Sequence, residues 1–149
     1  MQQRTSFTQL NEEERRTLFQ SMQPRSFRAG ETIITQGALQ GTMYLLVKGE
    51  VKVERYPTSD ADERENVKAS ETVRIAELGP GQVFGEMSFL DRAPSSATVT
   101  ALTDIEVLAI GRAEIDQISA KDRTFPDRFY QCLAMSLVDK LRATSRRLS

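Results

Sequence analysis

Short apolar segments separated by glycines dominate the middle of the chain, between residues 25 and 111. They are rich in β-branched and aromatic residues, which favour strands over helices. They cover residues 26–28, 32–35, 43–47, 50–55, 73–78, 97–101 and 105–110. Gly30, Gly37 and Gly49 lie between segments, where turns need backbone freedom. Many short strands at close spacing predict an antiparallel β-barrel or jelly roll.

On either side of this region, apolar residues recur at helical spacing. Residues 11–22 predict an N-terminal helix, because Asn11 and Glu14 have the spacing of a capping box. Residues 112–148 predict a short helix followed by a long one. We therefore expect a mainly β protein with flanking helices, built as a single domain over residues 1–149.

The long C-terminal helix, predicted from about residue 125 to 147, carries two neighbouring apolar stripes. One stripe contains Phe129, Leu133, Leu137 and Leu141, and the other contains Tyr130, Ala134 and Val138. Docking on the barrel requires a single stripe. The pattern leaves open whether both stripes are buried within one chain or one of them contacts a partner.

The composition excludes several kinds of chemistry. The 149 residues include no histidine and a single cysteine, Cys132. Ser-His-Asp and Cys-His catalysis and the usual zinc sites are therefore excluded, so we expect no catalytic residues, no metal and no cofactor. A single cysteine cannot form an internal disulfide and suits a reducing compartment, so we expect a cytoplasmic protein. Because the histidine-dependent chemistries are excluded, we also expect that the protein is not an enzyme.

The distribution of charge suggests neither a nucleic-acid nor a membrane partner. The formal net charge is −1, and no apolar run is long enough to span a bilayer. Cations near the C-terminus are interpreted as complements of the helix macrodipole: Lys140, Arg142, Arg146 and Arg147. Residues 57–70 are charged and nearly free of large apolar side chains, which predicts a solvated hairpin loop.

The most specific stretch is GPGQVFGEMSFLDRAPSSATVTA, residues 79–101. It predicts a strand, a turn at Gly85, a short helix, a break and another strand. The helix start presents free backbone N–H groups that suit an anion. Glu86 would repel that anion, so it should face a sugar hydroxyl instead. Ser95 and Ser96 add hydroxyls to the facing strand and complete a candidate nucleotide pocket.

This stretch resembles the phosphate-binding cassette of the cyclic-nucleotide-binding domain family, found in protein kinase A regulatory subunits and the catabolite activator protein. The upstream motifs agree: Phe27, Ala29-Gly30-Glu31, Gln36-Gly37, Met43-Tyr44-Leu45 and Gly49-Glu50-Val51. The resemblance covers nearly the whole chain and places the cassette at residues 84–97 of a barrel spanning 25–111. It implies a sensor or regulatory module that binds cAMP or cGMP.

The resemblance also implies roles for the cassette residues. Gly85 and Met87 would contribute backbone amides to the phosphate, and Glu86 would hold the ribose 2′-hydroxyl. Ser96 matches the position that contacts the phosphate or the base. The residues predicted to bind ligand are Phe84, Gly85, Glu86, Met87, Ser88, Ser95, Ser96 and Ala97.

One position departs from the family pattern. The family's phosphate-binding arginine corresponds to Ser95 in this chain. Loss of a guanidinium opposite a cyclic phosphate removes about 2–3 kcal/mol, a factor of roughly thirty in affinity. Arg92 lies nearby and is interpreted as a solvent-facing loop residue. The alternative to a nucleotide sensor is a degenerate domain that no longer binds nucleotide and serves protein–protein interaction.

The resemblance also bears on the C-terminal helix. In the family, the equivalent helix moves on ligand binding or pairs with its twin. We therefore expect the chain to signal through this helix to an effector protein. We also expect a homodimer, with Leu133, Leu137 and Leu141 as the main contributors.

Overall fold

A computed structural model describes residues 7–56 and 72–148, with side chains placed as far as residue 143. Within these ranges the chain forms eight strands and four helices. The strands are β1 (Gln23–Phe27), β2 (Thr32–Ile34), β3 (Thr42–Lys48), β4 (Val51–Arg55), β5 (Val73–Leu78), β6 (Val83–Phe84), β7 (Thr98–Ala101) and β8 (Ile105–Gly111). The helices are α1 (Glu12–Ser21), α2 (Glu86–Asp91), α3 (Arg112–Lys121) and α4 (Phe125–Leu148). The loop predicted at residues 57–70 lies outside the described residues.

The strands form two four-stranded sheets, with the orders β1-β8-β3-β6 and β2-β7-β4-β5. All the paired strands are antiparallel. Side chains from both sheets meet in a first apolar core, whose members include Tyr44, Leu46, Phe84, Val99 and Val107. The prediction of an antiparallel, mainly β fold with flanking helices is confirmed.

A second apolar core joins the sheets to the helices. Successive side chains of a strand face opposite sides, so β3 contributes Leu46 to the first core and Leu45 to the second. The second core collects residues from α1, α3 and α4, among them Leu18, Ile115, Ile118, Phe125, Phe129 and Leu133. The first two turns of α4 are therefore held against the rest of the domain.

Burial along α4 corrects one prediction and sharpens another. Leu133 lies in the second core with 0% of its surface exposed, so it cannot contribute to a homodimer as predicted. The two-stripe pattern could not show which leucines face the domain itself.

Cys132 is 1% exposed, which is deeper than the partial burial expected of it. Burial raises the pKa of its thiol. Cys132 therefore packs in the second core as a small apolar residue, as predicted.

Helix α1 begins with the predicted capping box. Asn11 Oδ1 accepts a hydrogen bond from the Glu14 backbone N–H at 2.8 Å, and the Asn11 N–H donates to Glu14 Oε1 at 2.9 Å. The buried Glu14 carboxylate also accepts two hydrogen bonds from the Arg128 guanidinium, at 2.8 and 2.6 Å. These bonds from Arg128 hold the pKa of Glu14 below its usual value of 4.5. The ion pair ties α1 to α4.

The substitution Glu14→Gln is expected to lower the melting temperature by roughly 3–6 °C at neutral pH. Because the pKa of Glu14 is depressed in the folded state, its stabilising contribution is complete above the unfolded value and is lost as pH falls through the folded value. The difference between wild type and variant should therefore shrink below about pH 4. Thermal melts between neutral and acidic pH measure this, with the exposed Glu13→Gln as control. A difference that does not change with pH would contradict the role assigned to the carboxylate.

Across residues 7–56 and 72–148, none of the helices combines the length and the hydrophobicity needed to cross a membrane. The same residues contain no group of three or more acidic, cysteine or histidine side chains arranged to hold a metal ion.

Candidate functional site

The cassette begins where β6 ends. Phe84 closes β6 and stacks on Tyr44 of β3, with the ring centroids 5.1 Å apart. Gly85 then turns the chain with a φ of +84°, a conformation that other residues rarely adopt. A Cβ atom at Gly85 would lie 2.8 Å from the Thr42 carbonyl oxygen. Glycine therefore allows α2 to start at Glu86 in close contact with β3.

The substitution Gly85→Ala tests this requirement, with Gly30→Ala as a matched control. Both glycines have positive φ, +84° and +90°, but the control position has no atom within 4 Å of an added Cβ. Gly30→Ala should destabilise the protein by about 1 kcal/mol through backbone strain alone. Gly85→Ala should cost at least about 2 kcal/mol, because the Thr42 backbone must also move. Urea denaturation compares the two, and equal losses would contradict the close approach.

A cavity of about 430 Å³ lies between the cassette, the second sheet and α4. All eight residues predicted to bind ligand lie on its lining: Phe84, Gly85, Glu86, Met87, Ser88, Ser95, Ser96 and Ala97. The second sheet supplies an apolar wall: Ile34, Val53, Ile75, Ala76, Leu78 and Val99. The cavity volume falls within the range of about 300–1,000 Å³ that is usual for small-molecule pockets.

Helix α4 closes another side of the cavity with Leu137, Lys140 and Leu141. The sequence pattern predicts none of these as site residues, because it places the two leucines in a dimer contact and Lys140 at the helix C-terminus. Residues three and four positions apart share one face of a helix. A lysine within a leucine stripe is therefore the sequence signal that could have marked this face.

Glu86 and Lys140 form an ion pair inside the cavity. Glu86 is 3% exposed, and the Lys140 ammonium donates to both of its carboxylate oxygens, at 2.9 and 2.7 Å. The ammonium also donates to the Val83 carbonyl oxygen. The Ser136 hydroxyl donates to Glu86 Oε2 at 3.3 Å. Lys140 thus connects α4 to the start of the cassette, which its interpretation as a complement of the helix dipole did not anticipate.

Ser95 belongs to the backbone network that shapes the cavity. Its hydroxyl donates to the Ala97 carbonyl oxygen at 2.8 Å. Its backbone N–H donates to the Ala38 carbonyl at 2.9 Å, and its carbonyl accepts from the Gly37 N–H at 2.8 Å. Arg92 is exposed, as predicted, and is not part of the cavity lining described. Neither residue therefore places a positive charge in the cavity.

The chain belongs to the cyclic nucleotide-binding domain family, whose sequence model matches residues 24–122. It is 26% identical over 132 residues to the CRP-like cAMP-activated global transcriptional regulator of Mycobacterium tuberculosis, a match that covers 89% of this chain and 53% of the regulator. The chain therefore spans about half the length of that relative. The family resemblance of the cassette is confirmed.

Solved structures of the family share the fold. A cyclic nucleotide-binding domain from Methylobacillus flagellatus KT superposes with a TM-score of 0.80 at 25% identity, over 93% of this chain and 72% of that one. The catabolite activator protein of Thermus thermophilus gives a TM-score of 0.75 at 31% identity, over 96% of this chain and 61% of that one. Both superpositions cover more than nine-tenths of this chain, so they extend beyond the strands and include most of the flanking helices.

Proposed function

We propose that the protein is a regulatory module that binds cAMP or cGMP in the cavity between the cassette and α4. The observation that carries this proposal is the buried Glu86 carboxylate on the lining of a largely apolar cavity. Burial of a carboxylate is unfavourable without partners, and Lys140 balances its charge. A carboxylate has about four acceptor sites, so Glu86 retains the capacity to accept a bond from a sugar hydroxyl. The proposed role is regulatory and not catalytic.

The cavity offers a separate environment to each part of a nucleotide. The phosphate would lie against the amides of Gly85 and Met87, with the Ser96 hydroxyl on the facing segment. The ribose would lie at Glu86. The base would contact the apolar wall of the second sheet, whose residues share the cavity with Leu137 of α4. Contact between ligand and α4 is the proposed route by which binding reaches an effector protein.

Thermal melts with cAMP, cGMP and the acyclic control 5′-AMP test the proposal. At a hundred times the dissociation constant, a ligand stabilises the folded state by about 2.7 kcal/mol, which raises the melting temperature by roughly 5–10 °C. We expect this rise with one or both cyclic nucleotides and a smaller rise with 5′-AMP. No rise with either cyclic nucleotide, at millimolar concentration, would contradict the proposal.

The second candidate function is a degenerate domain that serves protein–protein interaction. Ser95 favours it, because the hydroxyl bonds its own backbone segment and leaves the cavity without the family's guanidinium. This candidate predicts that no cyclic nucleotide changes the melting temperature, even though all eight predicted residues line the cavity. The same melts therefore separate the two functions.

We also propose that two chains pair through α4. Leu133 is buried, and Leu137 is half-buried on the cavity lining. The large apolar side chains that are exposed on the described part of this helix are Met135, Val138 and Leu141, at 38%, 37% and 67% exposure. They are spaced three residues apart and form one ridge, and a two-fold axis would bring two copies of that ridge together.

Val138→Asp is expected to convert the proposed dimer into monomers, because two carboxylates would face each other across the axis. Val47→Asp, the same substitution at an exposed valine on β3, should leave the dimer intact. Light scattering over a concentration series measures the mass. A wild-type mass of one chain at every concentration would contradict pairing.

A further inference from the structure

We propose that Lys140 supplies the positive charge for the ligand's phosphate, in place of the cation that position 95 does not provide. This inference rests on the proposed binding of a cyclic nucleotide. It places the phosphate-pairing cation on α4 and not on the barrel.

The charges on the cavity lining carry the inference. Of the described residues that line the cavity, Lys140 bears the single positive charge and Glu86 the single negative charge. A cyclic phosphate would add a second negative charge to the same cavity. Because an unpaired anion is costly away from water, the phosphate requires a cation within reach. Lys140 is the described lining residue that can meet this requirement.

The hydrogen bonds of Lys140 indicate how one ammonium can serve two anions. An ammonium has three N–H donors, and among the contacts described for Lys140 are both oxygens of Glu86 and the Val83 carbonyl. A sugar hydroxyl that donates to the spare acceptor site of Glu86 neutralises part of its charge and weakens one of the two bonds that the carboxylate accepts from Lys140. The N–H of that weakened bond can then turn to a phosphate oxygen. The ammonium would bridge carboxylate and phosphate without leaving either unpaired.

The exposure of the Glu86 and Lys140 side chains is consistent with a shift of the Lys140 ammonium toward the phosphate. Glu86 is 4% exposed at its side chain, whereas the Lys140 side chain is 22% exposed. The carboxylate is therefore fixed in the wall, and the longer, flexible lysine is the partner that can shift. Since Lys140 belongs to α4, its contact with the phosphate would couple ligand binding directly to the position of this helix.

A double-mutant cycle in cAMP affinity tests the proposal, using wild type, Lys140→Met, Ser95→Arg and the double variant. In the wild-type background, Lys140→Met should weaken cAMP binding by about ten- to a hundredfold, as expected for loss of one charge-assisted contact. In the Ser95→Arg background, the loss should be less than about threefold, because the new guanidinium already pairs the phosphate. Lys140→Arg should retain affinity within about threefold. Arg142→Met, an exposed cation on the same helix, is the matched control.

The possible results of this cycle distinguish failure of the role proposed for Lys140 from failure of the proposed nucleotide binding. An equal loss in both backgrounds would show that Lys140 only positions Glu86, and this would overturn the inference while the nucleotide site stands. Binding by Ser95→Arg without any binding by wild type would overturn both the inference and the proposed function of the wild-type chain, because Lys140 would then not replace the missing cation. Failure of all four proteins to bind cAMP or cGMP would instead refute the proposed function. Circular dichroism melts of each variant verify that the protein is folded.

Discussion

Glu86→Ala is expected to weaken cyclic-nucleotide binding by about ten- to a hundredfold, the cost of losing a charged acceptor for the sugar hydroxyl. In the proposed site, the buried carboxylate at the start of α2 is the acceptor for the ribose hydroxyl. Glu86→Gln keeps one acceptor oxygen but loses the charge. Its loss of affinity should therefore be smaller than that of the alanine variant.

Competition between labelled and unlabelled cAMP measures the affinities of these variants. Glu77→Ala removes a carboxylate on β5 that is paired on the surface with Arg74, so it controls for a general change in charge. A deoxy analogue without the 2′-hydroxyl adds a second check, because it should bind wild type and Glu86→Ala with similar affinity. If Glu86→Ala bound cAMP as tightly as wild type does, the assignment of the ribose position would be wrong.

Ser95→Arg is expected to strengthen cyclic-nucleotide binding, since a guanidinium forms charge-assisted bonds with phosphate. The full gain of about thirtyfold is expected in the Lys140→Met background, and a smaller gain in the wild type, where Lys140 is proposed to pair the phosphate already. Ser95 is half-buried on the cavity lining, so a longer side chain at this position can extend into the cavity. The substitution removes the hydrogen bond to the Ala97 carbonyl, a loss of about 1 kcal/mol in stability.

Ser95→Gln is the matched control for this gain, because glutamine offers hydrogen bonds without the positive charge. It should bind cAMP much as wild type does. Comparison of the affinities for cAMP and for adenosine, which has no phosphate, separates the contribution of the phosphate from that of the base and sugar. The arginine should improve the binding of cAMP alone. A gain of the same size for both ligands would contradict the placement of the phosphate near position 95.

Local sequence signals predicted much of the fold. Asn11 and Glu14 define the start of α1 because a capping box is made by residues three apart in sequence. The turn at Gly85 and the helix after it follow from local backbone requirements in the same way. The family resemblance then brought together residues 84–88 and 95–97, which the structure places on one cavity lining.

Contacts between distant parts of the chain could not be predicted in this way. Lys140 and Glu86 are separated by 54 positions, and helical spacing gives no indication that they meet. The burial of Leu133 depends equally on tertiary packing, because its stripe on α4 looks the same in sequence as the exposed end at Leu141. The pairing of Glu14 with Arg128 is a third case, since it joins the first helix to the last.

Titration calorimetry of the wild-type chain with cAMP and with cGMP tests the central claim most directly. The account predicts a saturable heat for at least one of them, with one nucleotide bound per chain and a weaker affinity for Glu86→Ala. No heat of binding for either nucleotide in the wild type would contradict it.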